Sequence, residues 1–140
     1  MQTHASCAAR GGAGVLLLGP SGSGKSDLLL RLLDHGFSLV ADDRVEIVDG
    51  VASAPFELAG LIEVRGLGLV RLPYTASARL ALAVELGDNG QRLPEPARHA
   101  ATGVPLISLD ANSASAPIRV KLALECALGH LTQTAGAFAA

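Results

Sequence analysis

The chain has 140 residues, 49% hydrophobic and 17% charged, with a net charge of −2. That length and apolar share give one domain with a real core and exclude a disordered chain. Scattered Lys and Arg raise no basic field, which argues against a nucleic-acid partner, and no apolar run approaches the ~20 residues that cross a bilayer.

In chain order, His4–Ala9 and Gly14–Leu18 read as two strands joined by a turn at Gly11-Gly12. Adjacent strands there bring His4 near the loop that leaves the second one. That loop is Gly19-Pro20-Ser21-Gly22-Ser23-Gly24-Lys25-Ser26, a complete phosphate-binding loop between a strand and a helix-like run. Its glycines let backbone N–H groups curl around phosphates, Lys25 reaches the β/γ oxygens, and the Ser26 hydroxyl suits Mg²⁺. The helix, expected over Ser26–His35 with Leu28, Leu29, Leu32 and Leu33 on one face, aims its N-terminus at the same anion.

Phe37–Ala41 reads as a buried strand ending in Asp42-Asp43, at the carboxyl end where open α/β sheets hold ligands. Neighbouring strand residues point to opposite faces, so the two carboxylates are expected to divide metal support and proton transfer. Arg44–Val48 and Val51–Ala54 flank Asp49-Gly50, a hairpin signal that makes the sheet partly antiparallel. Leu61–Val64 and Leu69–Leu72 flank Arg65-Gly66-Leu67-Gly68. Arg79–Leu86 suits a strand covered on both sides, closed by a turn at Asp88-Asn89-Gly90. Gln91–Val104, rich in Pro, Gly and polar residues, reads as a long loop, and Leu106–Leu109 as a last strand.

Ala116-Pro117 opens an amphipathic helix, with Ile118, Leu122 and Cys126 on one side and Leu124, Leu128 and Leu131 beside it. Residues 132–140 offer little to bury and read as a disordered tail behind a catalytic domain over residues 1–131. Cys7 and Cys126 lack metal-ligand spacing and read as small buried hydrophobes in a reducing compartment. With neither a charged n-region nor an apolar h-region in the first twelve residues, a soluble cytoplasmic protein is expected.

The loop from Gly19, the run His35-Gly36-Phe37-Ser38-Leu39-Val40-Ala41-Asp42-Asp43 and the run Leu61-Ile62-Glu63-Val64-Arg65-Gly66-Leu67-Gly68-Leu69-Val70 together resemble the C-terminal catalytic domain of HPr kinase/phosphorylase. The resemblance extends roughly from Thr3 to Ala127. It implies an α/β fold, a P-loop domain with a mixed sheet similar to phosphoenolpyruvate carboxykinases. The activity it implies is ATP- and Mg²⁺-dependent phosphorylation of a serine on the phosphocarrier HPr or a paralogue, regulating carbon metabolism through the phosphotransferase system.

By the same resemblance Asp43 is the general base, and the general acid of the reverse reaction, while Asp42 supports the metal. Lys25 binds phosphate, Ser26 and Glu63 ligate Mg²⁺, Arg65 and the Gly66-Leu67-Gly68 backbone act in catalysis, and His4 is the active-site histidine. Arg92 falls where the family has another catalytic arginine. A homohexamer is implied as well. Full-length members carry an N-terminal regulatory domain, and by this resemblance the chain is either one of the short forms without it or a part of a longer protein. The family's Arg-Pro-Gly-Arg segment, associated with dephosphorylation, falls near Pro105–Ala111, which holds no arginine. The kinase reaction is therefore implied and the phosphorylase reaction left open. Two other readings of the loop remain: an ATP-binding sensor that transfers nothing, and a small-metabolite kinase.

Overall fold

Short aliphatic runs supply the strands, and among the described residues eight of them join one mixed sheet. The computed structural model describes residues 1–87 and 90–139, so Asp88 and Asn89 of the expected turn lie outside the described residues. The strands are β1 (Gln2–Thr3), β2 (Ser6–Arg10), β3 (Ala13–Leu18), β4 (Ser38–Ala41), β5 (Val45–Val48), β6 (Val51–Ser53), β7 (Leu61–Val64), β8 (Gly68–Arg71), β9 (Ala78–Leu86) and β10 (Leu106–Leu109). The helices are α1 (Lys25–Leu33) and α2 (Ala116–Ala127), with a 3-10 turn at Phe56–Leu58. β7 and β8 form a separate hairpin.

The main sheet runs β1-β5-β6-β9-β3-β2-β4, with β10 beside the C-terminal half of β9. β3, β9 and β10 are parallel, β2 opposes β3, and β4 opposes β2. Four strands therefore end on one edge, at Leu18, Ala41, Leu86 and Leu109, and β2 begins there. The expected mixed α/β sheet is what the chain forms, and the Asp49-Gly50 hairpin joins β5 to β6 antiparallel.

β1 and β5 stand at the opposite end of that order from β2 and β4. Yet only His4 and Ala5 separate β1 from β2, and only Asp42 to Arg44 separate β4 from β5. Links that short force the sheet to fold over on itself. Inside the fold lies a core that includes Cys7, Leu16, Val40, Val45, Ile47 and Leu80. Outside it, α1 and α2 cover a second core that includes Val15, Leu17, Leu28, Leu32, Leu82 and Leu124. Isolated helices the length of α1 are marginal, so the burial of Leu28, Leu29 and Leu32, worth about 1.5–3 kcal/mol each, holds it in place.

Two strands change phase through an extra residue. Gly14 pairs with Leu80 and Val15 with Leu82, leaving Ala81 as a bulge, so Leu80 faces the inner core and Leu82 the outer one. In β4, Ala8 pairs with Leu39 and Cys7 with Ala41, leaving Val40 extra. Leu39 faces the outer core while Val40 and Ala41 both face inward. Asp42 consequently emerges on the side of α1.

Three expectations need correction. His4 is not in a strand but in the bend between β1 and β2. The segment before β10 is not wholly open: Arg98 bridges to Pro105, and the His99 and Leu106 amides donate to Val104 and Ala97. α2 ends at Ala127, and it buries Ala116, Val120, Ala123 and Leu124 while Ile118 and Leu122 are exposed. With Ala on several faces, the helix can bury Val120 and Leu124 together with Ala116 and Ala123 and leave Ile118 and Leu122 outside. Phe138 is half-buried against the outer core. No helix of the described residues is long and apolar enough to cross a membrane.

Cys7 is fully buried and Cys126 half-buried. Burial pushes the Cys7 thiol up to about 12. A maleimide or disulfide reagent at neutral pH should therefore label Cys126 in the native protein and Cys7 only in denaturant. Equal labelling rates in the native state would contradict this packing.

Glu125 of α2 pairs with Arg10 of β2 at 2.6 Å and with His130 at 2.7 Å. The His130 hydrogen bond first, and the Arg10 charge after it, hold the carboxyl below its ordinary 4.5. The unfolded chain binds the extra proton, so the contribution is complete above that ordinary value and disappears as pH falls through the lowered one. Melting curves should show wild type above Glu125→Gln at neutral pH, the gap closing in acid; a gap independent of pH would remove the assignment.

Candidate functional site

The Gly19–Ser26 loop leaves β3 at the edge where four strands end, and a cavity of about 420 Å³ opens above it. The loop supplies Ser21, Gly22, Gly24, Lys25 and Ser26, the N-terminal bend supplies His4, the end of β4 supplies Asp43, and the hairpin supplies Glu63 and Arg65. Residues from four distant stretches of sequence thus share one space.

Two glycines are dictated by geometry. Gly24, the N-cap of α1, has φ 99° and no side-chain cap, and a Cβ there would lie 3.2 Å from Ala111. Gly19 has φ 149°, and a Cβ would meet Ser23 Oγ at 2.6 Å. The uncapped helix start leaves first-turn N–H groups for an anion. Lys25 Nζ, nearly buried, donates to the carbonyls of Gly19 at 2.6 Å and Pro20 at 3.0 Å. Ser23 Oγ is buried without a partner, a further hydroxyl the loop leaves unused. Uncapped amides, an ammonium and a spare hydroxyl fit a polyphosphate.

The acidic side is organised differently for its two members. Asp42 Oδ1 accepts from Ser26 Oγ at 2.7 Å and from Ser6 Oγ at 2.9 Å, and Oδ2 accepts from the Glu63 amide at 3.4 Å. Because Ser26 gives its proton to Asp42, its oxygen lone pairs remain for a cation. Asp43 turns away: its φ of 70° breaks the strand, and its exposed carboxylate meets His4 Nε2 at 2.7 Å. The break lets both carboxylates reach the loop side, one beneath Ser26 and one at the cavity wall.

Glu63 lies opposite Leu69 on the exposed face of the β7–β8 hairpin, while Ile62 and Val70 face the core. Arg65 stands at the hairpin tip in the cavity wall. The oxygens of Ser26, Glu63 and Asp42 form a hard donor set that suits Mg²⁺ completed by phosphate and water. Arg92 is exposed and lines no part of this cavity.

Ser6 is the residue of this site that sequence reading missed. It is fully buried, donates to Asp42 and accepts from the Asp43 amide at 3.4 Å. Its only signal was a hydroxyl in an apolar strand. Arg31, which belongs to no motif, ties α1 to the carbonyls of Ala111 and Ser113 and pairs within the helix with Asp27.

Residues 1–80 match the model of the HPr serine kinase C-terminal domain. The HPr kinase/phosphorylase of Clostridium tetani is 46% identical over 66 residues, 44% of this chain and 22% of that protein. That of Bacillus pumilus is 48% identical over 66 residues, 44% of this chain and 21% of that protein. The matched segment thus spans about a fifth of the length of these relatives. The solved HPr(Ser) kinase/phosphatase of Coxiella burnetii shares the fold, with a TM-score of 0.70 at 23% identity over 87% of this chain and 92% of that one.

Replacing Ser6 by Ala removes one hydroxyl from Asp42 and leaves the Asp43 amide without its acceptor. The expected loss is about 1–3 kcal/mol, the usual cost of an orphaned buried polar group, read by urea denaturation. A loss below experimental error would show that Ser6 does not hold the acid pair.

Proposed function

The chain belongs to the HPr serine kinase C-terminal domain family, and on that premise we propose that it is an ATP-dependent serine kinase acting on an HPr-like phosphocarrier. The domain, over residues 1–131, is read as a P-loop domain of the phosphoenolpyruvate carboxykinase type. The observation that carries the reading is Asp43, an exposed carboxylate paired with His4 in the wall of a cavity whose floor is the phosphate loop.

Lys25 leaves the carbonyls of Gly19 and Pro20 to neutralise the β- and γ-phosphates, with the α1 N-terminus behind it. Asp43 accepts the proton of the acceptor serine as the serine oxygen bonds to the γ-phosphorus and the β–γ bridging oxygen departs with ADP. His4 orients the Asp43 carboxylate, and Arg65 faces the charge spread over the phosphoryl oxygens. Mg²⁺, held by Ser26 and Glu63 with Asp42 behind Ser26, would supply charge neutralisation at those oxygens. For the reverse reaction, attack of phosphate on phosphoserine, residues 105–111 offer no arginine. The forward direction is the one the residues support. Arg92, outside the cavity, is given no part in it. The family's homohexamer is expected here too, and light scattering would remove it by returning the mass of a single chain.

Purified protein with labelled MgATP should phosphorylate an HPr homologue from the same organism. Asp43→Asn should lower transfer by about 10²–10⁴-fold while retaining ATP binding, since the base acts only in the transition state. Lys25→Met should weaken both. Tight ATP binding by wild type without transfer to any HPr homologue would favour the sensor reading instead.

A further inference from the structure

Asp43 belongs to two cavities. Besides the space above the Gly19–Ser26 loop, a second one of about 680 Å³ also reaches Asp43, lined among others by Arg44, Glu46, Phe56 and Glu57. Of the residues lining the two, Asp43 alone is common to both. We propose that this second cavity is the acceptor subsite, and that it receives a serine-bearing polypeptide segment with an apolar and a cationic side chain flanking the serine. The inference rests on the kinase reading of Asp43 and goes beyond it by saying where the acceptor lies and what recognises it.

Phosphoryl transfer places nucleophile and leaving group on opposite sides of the phosphorus, and the base must touch the nucleophile. The donor fills the loop side. The acceptor hydroxyl must therefore lie between the γ-phosphorus and Asp43, and its flanking chain must find room past Asp43, where the second cavity opens. Phe56, on the 3-10 turn, is 92% exposed, an aromatic ring bare at the rim of a cavity. Buried against a partner, such a ring is an anchor of the kind that dominates interface energetics. β5 alternates Val45 and Ile47 inward, which turns Glu46 outward beside Gln2 of β1. With Asp43 and Glu57 it outnumbers the single cation Arg44, so the cavity attracts positive charge. An adenine ring stacked on Phe56 is the competing occupant.

The test uses the full chain and an HPr homologue, with Phe56→Ala and Glu57→Arg, both exposed positions whose replacement leaves the core untouched. Each variant should raise the KM for HPr at least ~10-fold while the Kd for ATP stays at the wild-type value, as loss of an anchor or of charge complementarity requires. Wild-type KM should rise with salt, and Glu57→Arg should flatten that dependence. A KM for HPr that neither substitution moves overturns the subsite and leaves the kinase reading standing. A weakened Kd for ATP in Phe56→Ala assigns the cavity to the nucleobase and overturns it too. If wild type transfers phosphate to no HPr homologue, the kinase reading itself fails and the subsite falls with it.

Discussion

One carboxylate oxygen organises the site. Asp42 Oδ1 accepts protons from Ser6 at the start of β2 and Ser26 in the first turn of α1, and Oδ2 faces the Glu63 amide of the β7–β8 hairpin. Hydrogen bonds to a charged acceptor are worth about 1.5–3 kcal/mol each when well formed, roughly twice a neutral pair. That difference decides where the hydroxyls point. Both spend their single proton on Asp42, so Ser26 offers only lone pairs to a cation, and Ser6 offers only lone pairs to the Asp43 amide. The strand, the loop and the hairpin are thereby registered against one another through a single side chain.

The folded-over sheet explains why such a meeting is possible. Two- and three-residue links from β1 to β2 and from β4 to β5 bring opposite ends of the strand order together, and the Ala5 amide donates to the Asp43 carbonyl at the closure. The bulge at Val40 then sets the phase of the residues after it. Without the extra residue, the face presented by Asp42 would be exchanged with that of its neighbour, pointing the carboxylate into the apolar inner core. The covered edge of β4, where the Thr75 amide donates to Leu39 and Ser38 meets Thr75 at 2.6 Å, keeps the bulged strand from slipping.

How much of this could be read from residues alone depends on the range of the interactions. The loop, the hairpin at Asp49-Gly50 and α1 were legible because each depends on neighbours a few positions apart. The bulges at Val40 and Ala81 were not, since an extra residue exists only relative to a partner strand. The buried face of α2 was misjudged in part for a related reason: its Ala and Leu make several faces similarly apolar, and only packing selects the one with Val120, Ala123 and Leu124. Asp42, Asp43, Glu63, Arg65 and His4 do converge near the loop, whereas Arg92 sits on a segment whose path no local signal fixes. Ser6 escaped because its partner is 36 positions away.

Asp43 shows why the two acids differ. A side chain at φ 70° costs roughly 1–2 kcal/mol for most residues, less for Asp and Asn, and is rarely kept without a reason. Here the carbonyl is held by Ala5 and the amide by Ser6, so the strain is offset by two hydrogen bonds, one to the β1–β2 link and one to the start of β2. An unstrained continuation of β4 would have kept Asp43 on the opposite face from Asp42, in line with the alternation of a strand. The left-handed turn instead lifts Asp43 out of the network that binds Asp42 and sets it against His4 in the open. Asp42 is consequently committed to its hydroxyls, whereas Asp43 has one imidazole partner and remains available for a proton. The difference in partners between the adjacent carboxylates is thus a property of one backbone dihedral.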